Sequence, residues 1–197
     1  GGSNTPTGRA EVEGDGFRLS GRWPWVSGCN NCDWLKGISV VTQDGKPRLL
    51  PSGAPDARMM VFPAGQVTLL DTWQVTGLAG SGSGDMEVHD IRVPEAFSYS
   101  LVAGKPYETG PLYAFPPFGL LAMGIAAVAL GNARAAIDDL VDLAGAKKPQ
   151  GSKRTLAERA AAQSELAQAE ATLRSARAFY YEAIGDAFRK AQTGDPI

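Results

Sequence analysis

The chain has 197 residues, a formal net charge of −2 and 20% charged residues. This balance disfavours a nucleic-acid-binding protein, which usually carries a basic surplus, and a hydrophobic content of 44% disfavours wholesale disorder. Because His89 is the single histidine, any Ser-His-Asp, Cys-His or multi-His metal site would have to use it.

The composition changes sharply near residue 117. Eleven of the 13 prolines lie at or before Pro117, as do all four tryptophans, whereas 21 alanines follow it and 8 precede it. Aromatic residues with frequent turns favour strands, and alanine favours helices. The sequence therefore predicts an α+β chain, with a small antiparallel β-barrel or sandwich domain over 1–100, a connection over 101–116, and two long antiparallel helices of an incomplete helical bundle over 117–197.

Six short strands are expected in the first part, because apolar alternation there is bounded by Gly, Pro and Asp-Gly turns. They cover 10–13, 17–23, 34–42, 58–62, 66–70 and 85–93. The alternation slips at His89-Asp90, which predicts a β-bulge and an exposed, structural histidine.

Two long helices are expected after Pro117, a residue that suits a first helical turn. The first runs to about Gly145, and the uncharged stretch 110–133 is long enough to raise the question of a membrane span. Since glycines interrupt this stretch and charged residues such as Arg134 continue it, a helix buried in a bundle is favoured. The second helix, over 155–192, would be about 50 Å or more long, so its apolar stripe needs another subunit or further chain as a partner.

Two cysteines, Cys29 and Cys32, form the pattern C-N-N-C. A thiol redox pair or metal site is disfavoured, because no βαβ pattern surrounds them and zinc needs about four ligands. Two cysteines without a disulfide framework fit a reducing cytosol, and residues 1–16 lack the apolar run of a secretory signal. We therefore expect a cytoplasmic protein.

Two further motifs are candidates for ligand binding. The stretch Trp23-Pro24-Trp25-Val26-Ser27-Gly28 is either a strand with aromatic packing or a wall for a flat aromatic ligand, because an indole offers a stacking face. The segment Gly80-Ser81-Gly82-Ser83-Gly84 looks like a phosphate-binding loop, but a strand rather than a helix is expected after it and no Gly-Lys-Ser/Thr follows. Its glycines are therefore expected to permit close backbone approach.

The residues 20–41, 71–95 and 131–140 resemble the acyl-CoA dehydrogenase fold. Within it they are closest to the flavin-dependent monooxygenase branch, the oxygenase components of two-component aromatic hydroxylases, with the acyl-CoA dehydrogenase type 2 domain in the helical part. The resemblance implies an N-terminal helical domain and later bundle helices outside these 197 residues. It also places the family's catalytic histidine in that later part, so that no catalytic residue is assigned here and His89 does not match.

The resemblance also implies site residues. Trp25, Val26 and Ser27 match a flavin-contacting segment, and Ser27 matches a residue near flavin N5. Trp73 matches an aromatic position close to flavin or substrate. Residues 80–83, which include Gly80 and Ser81, match the last four positions of an Arg-Gly-Thr-Gly-Ser pattern, and Ala79 stands where that pattern has its arginine. Arg134 matches a helix arginine that contacts flavin, although it could equally pair with an aspartate four residues on.

The implied function is part of a flavin-dependent monooxygenase, an oxidoreductase that is not expected to be active as this fragment alone. Reduced FMN or FAD, not covalently bound and supplied by a flavin reductase, would react with O2, and a C4a-hydroperoxyflavin would hydroxylate an aromatic or apolar small molecule. A homo-oligomer, a tetramer in the family, is expected, with no nucleic acid, membrane or metal partner. Two alternatives stay open: an FAD-dependent acyl-CoA dehydrogenase, and a non-catalytic assembly or binding module.

Overall fold

The computed structural model describes all 197 residues, which divide into two compact units, Gly1–Lys105 and Pro106–Ile197. The first unit contains one sheet of eight strands, joined by loops and single 3₁₀ turns. The strands are β1 Gly2–Glu13, β2 Gly16–Trp23, β3 Trp34–Gln43, β4 Lys46–Pro47, β5 Ala57–Pro63, β6 Thr68–Leu70, β7 Asp85–Pro94 and β8 Ser98–Tyr99. The second unit contains the two long helices, which confirms the predicted α+β class.

The sheet is open and mixed, with the order β6-β7-β2-β1-β3-β5-β8 and β4 paired to β3. Strands β1 and β2 form the predicted hairpin around Gly14, whose φ of +59° suits a residue without Cβ. However, β1 extends back to Gly2 and pairs in parallel with β3. The expected antiparallel barrel or sandwich is thereby corrected to an open mixed sheet.

The core of this unit is built around the buried indole of Trp23. Its Nε1 donates to the carbonyl of Ile38 at 2.7 Å, so the polar edge of the ring is satisfied. Glycines at positions 8, 21 and 37 leave the space that the ring occupies, since a Cβ on Gly37 would lie 2.6 Å from Cε2 of Trp23. The ring of Phe62 packs at a tilt, with centroids 5.9 Å apart.

The predicted bulge in β7 is confirmed. The register shifts so that His89 and Asp90 together oppose Ser20 of β2. Asp90 has a φ of +55°, and its N–H donates to Oγ of Ser20 at 2.9 Å. His89 points to solvent with 74% of its side chain exposed, and its Nε2 lies 3.4 Å from Oε1 of Glu87.

The second unit pairs α1 Pro117–Ala146 with α2 Ala160–Thr193. The helices are antiparallel: the hydroxyl of Tyr180 donates to the carbonyl of Met123 at 3.0 Å, and Arg134 pairs with Glu170 at 2.6 Å. Helix α2 begins later than predicted, because Glu158 accepts from both the N–H and the hydroxyl of Thr155 and forms a separate turn.

Helix α1 is long and apolar enough to cross a membrane by length and composition, and little of it is buried. A core helix of a soluble protein has the same composition, so the property is weak evidence for a span. Between the two helices lies an apolar groove of about 1060 Å³. It is lined mostly by alanines and by larger apolar residues, among them Phe115, Met123, Leu173 and Ile184.

Candidate functional site

The fold brings together the two motifs that the sequence marks for ligand binding. The turn after β2 lies against the glycine-serine loop before β7. The N–H of Val26 donates to the carbonyl of Gly84 at 2.9 Å, and the N–H of Gly28 donates to that of Ser81 at 3.1 Å. These two bonds hold the segments side by side, although more than 50 residues separate them in the sequence.

Three serines form a hydrogen-bonded chain across this junction. Oγ of Ser27 lies 2.8 Å from Oγ of Ser83, which in turn lies 2.8 Å from Oγ of Ser81. Ser81 donates to the carbonyl of Leu78 at 2.9 Å. Ser83 is buried, whereas Ser27 and Ser81 are exposed. The chain therefore runs from an exposed hydroxyl through a buried one to a backbone acceptor.

Trp25 is the most exposed tryptophan and has an unusual backbone. Its side chain is 65% exposed, and its φ is +58°, in the left-handed region that a bulky residue rarely adopts. Its carbonyl accepts the N–H of Ser27 at 3.0 Å, which tightens the turn. Backbone strain of this kind persists where the surrounding structure enforces it, and it clusters at functional sites. The turn thus presents an indole next to the Ser27 hydroxyl.

Val26 lies between these two residues and faces the core. Its side chain is fully buried. The N–H groups of Val26, Ser27 and Gly28 are all used in internal hydrogen bonds, so the backbone N–H groups expected to be available for a ligand are occupied. What remains for a ligand in this segment is the face of Trp25 and the spare hydrogen-bonding capacity of the Ser27 hydroxyl.

Trp73 is anchored to the same loop. Its Nε1 donates at 3.1 Å to the Leu78 carbonyl that also accepts from Ser81. The half-buried ring lines a small pocket of about 220 Å³, together with Cys29, Asn30 and Gly82. Trp73 and the loop therefore share one pocket, although Gly80 and Ser81 do not line it.

The three glycines of the loop lie in different environments, so glycine is suited to each position for a different physical reason. Gly84 is required by strand packing, because a Cβ there would collide with the carbonyl of Leu70. Gly82 adopts a φ of +51°. Gly80 has no neighbour within 4 Å of its Cβ position and faces open space. The expected close approach is therefore made by the sheet itself at Gly84.

Asp85 holds the loop to the end of β2. Its Oδ2 accepts from Nε and Nη2 of Arg22 at 2.9 and 2.7 Å, and its Oδ1 accepts from the hydroxyl of Thr72 at 2.9 Å. The Arg22 guanidinium holds the pKa of the Asp85 carboxyl below its ordinary value, and the Thr72 hydroxyl adds to this effect while burial opposes it. No local sequence pattern links these three residues, so the sequence motifs do not predict this anchor.

Arg134 lies in the helical unit and is engaged by two carboxylates. It pairs with Glu170 at 2.6 Å and with Asp138 at 2.8 Å, so the i, i+4 pair expected from the sequence is present. The pKa of Glu170 is lowered by its hydrogen bonds to Arg174 and to Arg134. A flavin contact by Arg134 would compete with these carboxylates.

The cysteines are both free thiols, Cys29 in the core and Cys32 partly exposed. The chain contains no group of three or more His, Cys, Asp or Glu side chains placed to hold a metal ion. The side chains that the fold brings together at the site are indole rings and serine hydroxyls.

Comparison with known proteins gives relatives for the whole chain. Residues 123–197 match the family described as acyl-CoA dehydrogenase, C-terminal domain. Indole-3-acetate monooxygenase of Pseudomonas putida is 36% identical over 98% of this chain and 47% of that protein. The oxygenase component of FADH(2)-dependent resorcinol hydroxylase of Rhizobium sp. (strain MTP-10005) is 30% identical over 76% of this chain and 37% of that protein.

A solved structure gives the same result. The crystal structure of 3-HSA hydroxylase from Rhodococcus sp. RHA1 matches with a TM-score of 0.84 and 26% identity, over 100% of this chain and 51% of that one. The chain spans less than half the length of the two curated relatives above. The resemblance that the sequence motifs indicate is confirmed.

Proposed function

From its shared sequence and fold with the oxygenase components of the acyl-CoA dehydrogenase superfamily, we propose that this chain forms part of a flavin-dependent monooxygenase that hydroxylates an aromatic or apolar small molecule. The relatives are named for indole-3-acetate and resorcinol, both planar aromatic substrates, which supports an aromatic substrate here. The name "oxygenase component" implies a separate reductase component that supplies the reduced flavin.

The observation that carries the proposal is the pairing of Trp25 with Ser27. An indole that is 65% exposed lies on a left-handed backbone, next to a hydroxyl with spare hydrogen-bonding capacity. A flat tricyclic ring with polar edge atoms can stack on the indole and accept or donate one hydrogen bond at Ser27. These groups fit an isoalloxazine, which needs no metal ligand and no covalent attachment.

Each residue of the site then has a definite task. The bound flavin supplies the activation of molecular oxygen. Trp25 covers one face of the ring, Ser27 holds an edge atom, and Val26 keeps both in place from the core. Trp73 and the loop at Gly80 and Ser81 form the proposed substrate side of the site.

FMN and FAD both carry a phosphate on the ribityl chain, so a phosphate contact does not distinguish between them. Arg134 is the proposed contact in the helical unit, because a guanidinium binds phosphate oxygens in a bidentate manner. To bind a flavin phosphate, the Arg134 guanidinium would have to release the carboxylates of Asp138 and Glu170. Reduced FMN and reduced FAD are therefore both candidates.

We propose a cytoplasmic location and a homo-oligomeric state for this protein. The exposed apolar side chains of α1 and α2, among them Ile125, Val128 and Phe179, support an oligomer, since exposed apolar side chains of this size pack against a partner in many oligomers. A tetramer is the proposed form, and neither a nucleic acid nor a membrane is a proposed partner.

The first experiment measures binding of reduced FMN and reduced FAD to the full 197-residue chain by anaerobic equilibrium dialysis. We expect binding by the wild type and a loss of about tenfold in Trp25→Ala, since an aromatic stacking contact contributes about 1–1.5 kcal/mol. Trp34→Ala is the matched control: its ring is also exposed, but it stacks on Phe97 with centroids 5.3 Å apart. Equal loss in both variants, or no binding by the wild type, would contradict the proposed site.

The second experiment distinguishes the monooxygenase from an acyl-CoA dehydrogenase. The match of residues 123–197 to a family that carries the dehydrogenase name favours this second candidate. Because the family's catalytic histidine is expected outside these 197 residues, the test measures binding rather than turnover. The full chain loaded with flavin is titrated with a panel of phenols and indoles, and in parallel with acyl-CoA, and the change in flavin absorbance is followed. Saturable binding of the aromatic compounds supports the proposal, whereas saturable binding of acyl-CoA alone supports the dehydrogenase.

A further inference from the structure

A second pocket, of about 290 Å³, lies between the two helices beside the apolar groove. It is lined by side chains of both helices: Leu130, Arg134, Glu170, Leu173, Arg174 and Arg177. Three of these six residues are arginines and one is a carboxylate, so positive charge exceeds negative charge in the lining. The pocket therefore attracts anions.

Glu170 holds two of the arginines at the pocket. Its Oε1 accepts from Nε of Arg174 at 2.7 Å, and its Oε2 accepts from Nη1 of Arg134 at 2.6 Å. The hydrogen bonds from Arg174 and Arg134 lower the pKa of the Glu170 carboxyl, so it stays ionised at neutral pH. Both of its oxygens are engaged, and two guanidinium groups are thereby ordered at the pocket.

Many guanidinium N–H groups at the pocket have no acceptor. Nε of Arg134 is buried without a hydrogen-bond partner, and Arg174 uses its Nε alone. Arg177 pairs with no carboxylate, and its guanidinium lies over the ring of Tyr181, 5.0 Å from the centroid. A guanidinium carries five N–H donors and no acceptor, and a buried donor without a partner is unfavourable. A ligand with acceptor oxygens would satisfy these groups.

The local charge and the apolar walls indicate the class of anion. Arg134 also pairs with Asp138 at 2.8 Å, so the three arginines face two carboxylates and one positive charge remains. A monoanion balances this charge, whereas a dianionic phosphate would leave a negative excess. Leu130 and Leu173 line both this pocket and the apolar groove. The surroundings therefore suit a carboxylate attached to an apolar group.

We propose that Arg134, Arg174 and Arg177 bind the carboxylate of a small apolar acid, whose apolar part packs on Leu130 and Leu173. Guanidinium groups match carboxylates in geometry, and such charge-assisted hydrogen bonds are about twice as strong as neutral ones. The site differs from the flavin contact proposed for Arg134, because Arg134 keeps both of its carboxylate partners here. It lies within the helical unit and does not rest on the proposed function.

The test is isothermal titration calorimetry of the full chain without flavin, at neutral pH and constant ionic strength. The probes are benzoate, benzamide, which has the same shape without the charge, and inorganic phosphate. We expect saturable binding of benzoate, and binding of benzamide and phosphate that is weaker by about tenfold or more. No binding of benzoate, equal affinity for benzamide, or tighter binding of phosphate would each overturn the proposal.

Two variants and a matched control locate the bound benzoate. Arg177→Gln removes an exposed guanidinium that pairs with no carboxylate, so the fold is retained and the affinity for benzoate falls about tenfold. Arg174→Gln gives a similar loss. Arg189→Gln, the control, removes the same charge from an exposed arginine of α2 that pairs with Asp186 outside the pocket, and it leaves the affinity unchanged. Equal losses in Arg177→Gln and Arg189→Gln would reveal general charge attraction and overturn the site.

A second measurement observes the guanidinium groups directly. In ¹⁵N–¹H NMR spectra of the full chain, benzoate should shift the Nε–H signals of Arg134 and Arg177 and leave that of Arg189 in place. Unshifted signals of Arg134 and Arg177 at saturating benzoate would show that the acid binds elsewhere, which would overturn the proposal. Because neither experiment contains flavin, the outcome is independent of whether the chain binds flavin.

Discussion

The left-handed backbone of Trp25 gives a prediction whose sign is unusual. Replacing an exposed residue by glycine normally leaves a protein less stable than replacing it by alanine, by about 0.5–1 kcal/mol, because glycine loses more conformational freedom on folding. At a φ of +58° an L-residue with a Cβ is disfavoured by about 1–2 kcal/mol, whereas glycine is not. Trp25→Gly should therefore be more stable than Trp25→Ala by about 0.5–1 kcal/mol.

The assay is urea unfolding followed by tryptophan fluorescence, with the free energy of unfolding taken by linear extrapolation. All four tryptophans lie in the β unit, so the signal reports that unit alone. Trp34→Gly and Trp34→Ala form the matched pair, because Trp34 starts the extended strand β3 and its φ is not positive. There alanine should be the more stable variant by about 0.5–1 kcal/mol.

The comparison isolates the backbone, since each pair removes the same indole and differs only in one methyl group. Both Trp25 variants should also lose affinity for reduced flavin to the same extent, because both lack the stacking face. If Trp25→Gly is no more stable than Trp25→Ala while the Trp34 pair behaves as expected, the left-handed turn at Trp25 is absent in solution, and Trp25 does not form the proposed site.

Two further predictions concern what supports the site. Gly37→Ala should lower the free energy of unfolding by about 1–3 kcal/mol, because the new Cβ would lie 2.6 Å from the rigid ring of Trp23. Gly65→Ala is the control: its Cβ would lie in open space, so this variant should be neutral or slightly stabilising. Equal changes in the two variants would contradict the close packing of Gly37 against Trp23. Asp85→Asn should cost about 1–2 kcal/mol at pH 7, since it weakens the ion pair with Arg22. The pKa of Asp85 is lower in the folded protein than its ordinary value, so the wild type has this extra stability above the ordinary carboxyl pKa and loses it as the pH falls through the folded pKa. In urea unfolding, the difference in stability between the wild type and Asp85→Asn should therefore shrink below about pH 4. A difference that stays constant down to about pH 2 would contradict the ion pair between Asp85 and Arg22.

Local sequence patterns were sufficient for the long elements, but the two-residue strands β4 and β8 were not predicted. Turn residues such as Gly14 and the slip at His89-Asp90 predicted the hairpin and the bulge, because both depend on backbone preferences of neighbouring residues. The start of α2 and the long β1 were missed. Those boundaries depend on Glu158 folding back on Thr155 and on β1 pairing with β3, and neither leaves a periodic signal.

The sequence by itself determined the α+β class, the family resemblance and the motifs that carry Trp25, Ser27 and the glycine-serine loop, since these depend on residue type and spacing. Only the tertiary structure decided that Ser27, Ser83 and Ser81 form one hydrogen-bonded chain. The chain forms where the turn after β2 meets the loop before β7, and backbone hydrogen bonds join these two segments. Contacts between segments so distant in the sequence leave no local pattern, so no motif predicts them.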